Sequence, residues 1–329
     1  MKGTRKGGLS SPFLFNLFYQ DMITELPQTV GGIRINHSSY NVFCYADDIL
    51  ITSTTVTGLQ TLIDVANRYI GNHGLSFNPI KTQCIVFGRC MFEQRPIWNL
   101  NSCQLQDYSN SGITYLGAFL SKNTRDHVDT RIKACRRAFY ALQGAGLHSG
   151  GLTPNTMAHV WRTAIQPILT YSIQCLPLTK TSVQAMDKAQ SRLLKAALGL
   201  TKFCKSTPLL HALKISKISL LSDVYTLDLI KSHFSNGAKG RCFYSYMLLQ
   251  YDRGHLSSHN NLVVRSKTIC STNDISLFKY ILDDSYAKEC KTRMKAFVTD
   301  NGLVDSVRYL FSEFTPHNRH MVQSLLMPF

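Results

Sequence analysis

The sequence has few acidic side chains, no closely spaced cysteine pairs and no long apolar run. The uncharged stretch Thr163–Thr179 contains Gln166, Pro167 and Gln174, so a membrane span is not expected there. The N-terminal residues carry three cations and lack the apolar core of a signal peptide. The ten cysteines include no CxxC pair and no zinc-finger spacing with histidine. We therefore expect a protein of the cytoplasm and nucleus, neither secreted nor membrane-bound, whose reduced cysteines mostly fill the core.

The balance of charge indicates a polyanionic partner. The 329 residues carry 36 basic against 20 acidic side chains, a net charge of +16, with 44% hydrophobic residues. That length is enough for about two domains, and the apolar content is enough for a packed core. Nucleic acid is the first candidate partner for such a basic chain, and an anionic membrane surface is the second.

The excess of positive charge is concentrated in the middle of the chain. Residues 1–120 carry 8 basic and 7 acidic side chains, residues 121–215 carry 14 and 3, and residues 216–329 carry 14 and 10. A solvated surface usually mixes the two signs, so this segregation favours a binding role for the middle segment.

One stretch combines strand-forming residues with two adjacent carboxylates. Residues 40–52 read YNVFCYADDILIT, and β-branched or aromatic residues lie on both sides of Asp47-Asp48. A two-residue interruption between such runs predicts a tight hairpin with Asp47 and Asp48 at its tip. Adjacent carboxylates suit a divalent cation that prefers oxygen ligands, and a solvated surface turn is the plainer alternative.

The flanks of this pair carry a family resemblance. Tyr45-Ala46-Asp47-Asp48 after an apolar strand resembles the YADD box of reverse transcriptases. The resemblance implies that Asp47 and Asp48 are catalytic ligands for Mg²⁺ or Mn²⁺. It also places Tyr45 and Ala46 in the nucleotide-binding site.

The N-terminal loop and helix resemble the family segment RQGxxLSPxLFN, which precedes the hairpin. The matching residues are Arg5, Gly7, Ser11, Pro12, Leu14, Phe15 and Asn16, with Lys6 in place of the usual Gln. Serine followed by proline is a helix start, and we expect a mostly buried helix over Phe13–Met22. Loop amides and cations beside a helix N-terminus suit phosphate. Arg5, Lys6, Gly7 and Gly8 are therefore predicted to bind nucleotide.

Two later segments extend the resemblance in the same order, after a predicted strand at Ile33–Asn36 and an amphipathic helix at Thr57–Asn72. Residues 74–88 read GLSFNPIKTQCIVFG and resemble the family pattern GLxxNxxKTxxxxF. The pattern implies that Lys81 lies near the incoming triphosphate, and an exposed loop lysine is the alternative. In the predicted strand Ile113–Leu120, Tyr115-Leu116-Gly117 resembles the YLG box that holds the primer strand. The alternative is an ordinary edge strand with no such role.

From Asp126 onward the pattern is helical and basic. We predict helices in His127–Gly144, Pro154–Leu178 and Thr181–Leu200, and further ones at Asp223–Ser232 and Asp283–Val298. Cations on helices suit sequence-independent contact with a nucleic-acid backbone. The predicted contacts are Arg131, Lys133, Arg136, Arg137, Lys188, Arg192 and Lys195. The runs Ala164–Tyr171 and Gln190–Lys195 loosely resemble the region after the palm in non-LTR, LINE-type polymerases.

Together the matches resemble a reverse transcriptase of a non-LTR, LINE-type retrotransposon. The implied fold is α+β. It has a partial palm of antiparallel strands backed by helices at 1–120, a basic helical thumb-like region at 121–215 and a mainly helical region of unknown role at 216–329. The implied function is RNA-directed DNA polymerisation by two-metal nucleotidyl transfer. Its partners would be an RNA template, a DNA primer and dNTP.

The family also uses a third carboxylate, on a strand before the glycine-rich loop. Here that loop lies within a few residues of Met1. We therefore expect the isolated chain to be inactive unless a complementing polypeptide supplies the fingers and this strand. The alternatives are a non-catalytic nucleic-acid-binding remnant of such an element and a reverse transcriptase of the group II intron or retron type. The second is less favoured, because the downstream helices resemble LINE-type elements more.

Overall fold

The computed structural model describes residues 9–26, 33–35, 38–87, 96–235, 237–252 and 262–295. The chain divides into two units, Met1–Ile113 and Thr114–Phe329. The predicted α+β class is confirmed, with short strands mainly in the first unit and helices dominating the second. The boundaries predicted at 120 and 215 stay a prediction. None of the helices in the described ranges combines the length and apolar character needed to span a bilayer.

The described residues of the first unit form two helices and eight short strands. In chain order they are α1 (Ser11–Glu25), β1 (Arg34–Ile35), β2 (Ser38–Ser39), β3 (Val42–Tyr45), β4 (Asp48–Ile51), α2 (Val56–Asn72), β5 (Gln83–Cys84), β6 (Asn99–Leu100), β7 (Cys103–Gln104) and β8 (Gln106–Asp107). Strands β1–β2, β3–β4 and β6–β7 form antiparallel pairs, whereas β5 and β8 pair in parallel. Within the described residues each sheet has two strands, so the larger antiparallel palm sheet is not seen there.

Helix α2 covers the β3–β4 hairpin as its amphipathic pattern predicted. Thr55 caps its start by accepting a hydrogen bond from the Gly58 amide to Oγ1 at 3.1 Å. Its buried face belongs to a core shared with α1 and with the inward side of the hairpin, formed by Met22, Leu26, Leu62, Ala66, Tyr69 and Ile70 with Val42, Cys44, Ile49 and Ile51 packed against them. This core fixes the hairpin from one side and leaves its other face open.

The prediction of a mostly buried α1 was wrong. Phe13 is 70% exposed, and Leu14, Leu17 and Ile23 are also exposed. Apolar residues surround this helix on several sides, but among its residues whose burial the structure describes, Met22 lies in the core and Phe18 packs against it. Apolar content alone therefore overstated the burial of α1, because burial needs a neighbour on each apolar face.

The second unit begins with a hairpin and continues as helices. Strands β9 (Ile113–Tyr115), which starts at the boundary, and β10 (Ala118–Leu120) form the hairpin. The helices are α3 (Arg125–Gln143), α4 (Pro154–Val160), a π-helical segment (Trp161–Ile165), α5 (Gln166–Thr170), α6 (Lys180–Ala197), α7 (Ser206–Ala212), α8 (Ile218–Ser235), α9 (Ala238–Asp252), α10 (Leu262–Thr272), α11 (Leu277–Leu282) and α12 (Asp284–Lys295). The predicted helices are present with shifted ends, and residues 296–298 lie outside the described residues.

A buried polar network joins the two runs that resemble LINE-type sequences. Gln190 is fully buried, and its Oε1 accepts hydrogen bonds from Gln166 Nε2 at 3.0 Å and Trp161 Nε1 at 3.3 Å. Its Nε2 donates to the Ser216 carbonyl oxygen at 3.0 Å. Buried amides need such partners, so these glutamines specify how the helix at 161–170 packs on α6 and on the residues before α8.

Candidate functional site

The β3–β4 hairpin presents the two predicted catalytic carboxylates. Tyr45 pairs with Asp48, and the ladder continues through Cys44 with Ile49 and Phe43 with Leu50. Directly opposed residues share a sheet face, so Asp48 lies on the same face as Tyr45, which is 65% exposed. Asp47 and Asp48 are both exposed. The predicted hairpin is therefore confirmed, and both carboxylates occupy exposed positions.

The position of the turn differs from the prediction by one residue. The central residues are Ala46 and Asp47, while Asp48 is already the first residue of β4. Ala46 has a left-handed backbone with φ of 51°. A non-glycine residue in this region costs about 1–2 kcal/mol. The sequence offers no glycine at this turn, so alanine, the smallest side chain available, takes the strained position.

The hairpin tip offers oxygen ligands of the kind that Mg²⁺ and Mn²⁺ prefer. Two adjacent carboxylates make a partial site for such an ion. Across the described ranges, no group of three or more His, Cys, Asp or Glu side chains is placed to hold a metal. The chemistry of the donors therefore fits the implied cation, and the number of donors accounts for only part of its coordination.

Lys81 lies on an exposed turn organised by Asn78. The Asn78 side-chain oxygen accepts hydrogen bonds from the amides of Ile80 at 3.0 Å and Lys81 at 3.3 Å. Thr82 Oγ1 donates to the Asn78 carbonyl oxygen at 2.9 Å. The Asn and Thr of the family pattern thus fold the turn that displays the lysine. The other predicted nucleotide-binding residues, Arg5, Lys6, Gly7 and Gly8, lie outside the described residues.

In the second unit, four of the seven predicted backbone-binding cations line one groove. The groove has a volume of about 270 Å³ and runs between α3 and α6. Its charged lining consists of Lys133, Arg136, Lys188 and Arg192, with Asp129 as the acidic member. Each of these five side chains is exposed. Four cations around one carboxylate produce a positive local field, which suits a chain of phosphates.

The other three predicted cations lie elsewhere. Lys195 is largely buried, and its Nζ donates to the Lys202 carbonyl oxygen at 3.3 Å. The Arg131 guanidinium lies over the Tyr171 ring, 5.6 Å from its centroid. Arg137 is exposed on α3 but does not line the groove. Arg137 directly follows the groove residue Arg136, and consecutive residues of a helix point about 100° apart, which explains why Arg137 does not line the groove.

The Tyr115-Leu116-Gly117 segment is a hairpin, not the continuous strand predicted for Ile113–Leu120. Leu116 and Gly117 form the turn between β9 and β10, with φ of 46° and 76°. Tyr171 and His127, to which no role was assigned from the sequence, contact this hairpin through hydrogen bonds. Their only sequence signal was that Tyr171 ends the run resembling LINE-type polymerases.

Comparison with known proteins supports the family resemblance. Residues 1–120 match the family model for reverse transcriptase (RNA-dependent DNA polymerase). The chain is 31% identical over 87 residues to the retrovirus-related Pol polyprotein from type-2 retrotransposable element R2DM of Drosophila melanogaster, a match covering 26% of this chain and 8% of that protein. The N-terminal third of the chain is therefore similar to the reverse transcriptase family, and the chain is similar to a Pol polyprotein of a non-LTR retrotransposon of the R2 type.

Longer matches extend past this region. Two retrovirus-related Pol polyproteins from type-1 retrotransposable element R2 of Popillia japonica are 20% identical over 201 residues and 24% identical over 207 residues. These matches cover 58% and 60% of this chain but only 31% and 28% of the relatives. The chain thus matches less than a third of the length of each relative, and the similarity includes residues beyond 120.

Proposed function

We propose that the chain acts in RNA-directed DNA synthesis, as a reverse transcriptase of a retrotransposon. The observation that carries the proposal is the β3–β4 hairpin, which exposes Asp47 and Asp48 within the region that matches the reverse transcriptase model. The names of the relatives support a retroelement origin. The substrates would be an RNA template, a DNA primer and dNTP.

Asp47 and Asp48 would hold the divalent cation. When bound, Mg²⁺ or Mn²⁺ ions in a two-metal site activate the primer 3′-hydroxyl and offset charge on the leaving pyrophosphate. Tyr45, on the exposed face beside Asp48, would form one edge of the nucleotide site. Lys81 and the loop residues Arg5, Lys6, Gly7 and Gly8 would contribute positive charge and backbone amides for the triphosphate.

The second unit would bind the template and primer through their backbones. The α3–α6 groove concentrates four cations on exposed helix surface, a pattern suited to phosphates and indifferent to base sequence. The exposed Leu116-Gly117 turn would contact the primer strand, as the resemblance to the YLG box implies. The two carboxylates of the hairpin leave room for a further ligand, which a complementing polypeptide could supply.

Binding of Mn²⁺ tests the proposed metal site. Paramagnetic Mn²⁺ should broaden the NMR signals of Tyr45–Ile49 before others, and Asp47→Asn should reduce this effect. Asp21→Asn is the matched control, because Asp21 is an exposed carboxylate on α1 of the same unit. Broadening spread evenly over the surface, or an equal response to both variants, would overturn the assignment of Asp47 as a ligand.

A second candidate function is non-catalytic nucleic-acid binding. The four-cation groove favours it independently of the hairpin, and the hairpin offers only two carboxylates. Primer extension on an RNA template, with an N-terminal half from a related element added to supply the fingers and the third carboxylate, separates the two candidates. Extension that disappears with Asp47→Asn supports the polymerase, whereas hybrid binding without extension by the complemented protein, at any Mg²⁺ or Mn²⁺ concentration, supports the binding protein.

A further inference from the structure

The turn of the β9–β10 hairpin has an unfavourable backbone for its sequence. Leu116 and Gly117 both lie in the left-handed region, with φ of 46° and 76°. Glycine adopts this region freely, but leucine does so at a cost of about 1–2 kcal/mol. Leu116 is also 39% exposed, so packing of its side chain alone does not explain why the conformation is kept. Contacts from elsewhere in the unit must therefore stabilise the turn.

Tyr171 supplies two such contacts. Its hydroxyl donates a hydrogen bond to the Leu116 carbonyl oxygen at 2.7 Å. Its ring lies against Gly117, where an added Cβ would come within 3.0 Å of the ring carbon Cε1. Glycine is thus favoured at position 117 for two reasons: the backbone has a positive φ, and the Tyr171 ring leaves little space for a Cβ. One side chain, 55 residues away in sequence, fixes both central residues of the turn.

His127 holds Tyr171 against the same hairpin. It is fully buried, and its Nδ1 accepts a hydrogen bond from the Phe119 amide at 3.1 Å. An amide can only donate, so the proton resides on Nε2, which donates to the Tyr171 carbonyl oxygen at 3.1 Å. The neutral imidazole therefore connects β10 to Tyr171. Together with the Tyr171 hydroxyl on Leu116, it links Tyr171 to the hairpin both at the turn and at β10. The Arg131 guanidinium also lies over the Tyr171 ring, 5.6 Å from its centroid.

We propose that Tyr171 is a positioning residue that holds the Leu116-Gly117 turn in the conformation that binds a base-paired primer and template. The inference rests on the proposed function, since it takes the turn to contact the primer. Tyr171 acts through the turn, by excluding the alternative backbone conformations that an unsupported Leu-Gly pair would sample. A turn that is ordered before binding loses less conformational entropy when the duplex docks.

The experiment measures the conformation of the turn and the affinity of the protein for an RNA–DNA hybrid separately. The sequence contains two Leu-Gly pairs, Leu116-Gly117 and Leu198-Gly199. Labelling leucine with carbonyl ¹³C and glycine with ¹⁵N therefore isolates two amide signals, one from the turn and one as an internal reference. The variants are Tyr171→Phe, which keeps the ring and loses the hydroxyl, and Tyr171→Leu, which loses both. Tyr140→Phe, an exposed tyrosine on α3, is the matched control.

We expect Tyr171→Phe to shift the Gly117 signal, leave the Gly199 signal in place and weaken binding of an RNA–DNA hybrid about three- to tenfold, the usual effect of one hydrogen bond. Tyr171→Leu should weaken binding further. The salt dependence of binding should keep the wild-type slope, because no charge is removed. General loss of structure would instead flatten the slope, since it would also disrupt the α3–α6 groove.

The possible failures are distinguishable. If the hybrid shifts the Gly117 signal of the wild type, but Tyr171→Phe binds as tightly as Tyr140→Phe, the positioning role is wrong and the proposed function survives. If the hybrid leaves the wild-type Gly117 signal unchanged at saturation, the primer contact is wrong and the inference falls with it. Because Tyr171→Phe is nearly isosteric, it decides the question even if Tyr171→Leu does not fold.

Discussion

Removing the charge of the α3–α6 groove should change how binding depends on salt. The variant replaces Lys133, Arg136, Lys188 and Arg192 with alanine. Each neutralised phosphate contributes about −0.9 to the slope of log Kobs against log salt on B-form DNA, so the loss of four contacts should flatten the slope by about 3.6. Asp129 lies in the same groove and partly offsets one cation, which lowers the expected change toward about 3.

The assay is fluorescence anisotropy with a labelled duplex at salt concentrations from roughly 50 to 200 mM. Over that range the wild type should lose about 100-fold more affinity than the variant, from the same slope difference. All four side chains are exposed, so their truncation should leave the thermal transition nearly unchanged.

A second variant with the same loss of charge separates the groove from the net charge of the protein. It replaces four exposed cations of the second unit that lie outside the groove, namely Lys122, Arg125, Arg137 and Lys180. We expect this variant to flatten the slope by less than half as much as the groove variant. Equal flattening by the two variants would show that the groove is not the binding surface and that the overall charge decides affinity.

Three further outcomes follow from single residues. Asp129→Asn should strengthen duplex binding about two- to threefold, because it removes the carboxylate of the groove, and the anisotropy assay measures this directly. Ala46→Gly should raise the free energy of unfolding by about 1 kcal/mol by relieving the left-handed backbone, whereas Ala134→Gly in the middle of α3 should lower it by about the same amount, as urea titrations would show. Burial, helped by the charge of Arg131, lowers the pKa of His127 against the opposing effect of the Tyr171 carbonyl. As the pH falls, His127 therefore binds a proton in the unfolded state before it does so in the folded state. The free energy of unfolding should decrease as the pH drops below about 6.5, by at most about 1.4 kcal/mol per pH unit for this group. His127→Gln should reduce that dependence in urea titrations across this range, leaving the same-signed contribution of His211, whose pKa burial and Lys217 also lower. A pH dependence unchanged in His127→Gln would contradict the buried neutral imidazole.

Local sequence patterns were sufficient to predict those helices and strands that bury one face. The alternation around Asp47-Asp48 identified the hairpin, and the spacing in Thr57–Asn72 identified α2 to within one residue. Both features depend on residues two to four positions apart, which sequence periodicity reports directly. The helix starts were less accurate. The helix predicted from Thr181 begins at Lys180, and its cap is Thr179, whose Oγ1 accepts a hydrogen bond from the Ser182 amide.

The sequence by itself determined the order of the motifs and the distribution of charge, and the tertiary structure decided which side chains lie close together. The adjacent carboxylates, the basic middle segment and the order of the motifs are all readable from single residues and short spacings. Which cations share a groove depends on how α3 packs beside α6, so that Lys133 and Lys188 line the same groove while Lys195 is buried. The support of the Leu116-Gly117 turn by Tyr171 likewise spans 55 residues. Such contacts form only when distant helices pack, and no local propensity encodes that packing.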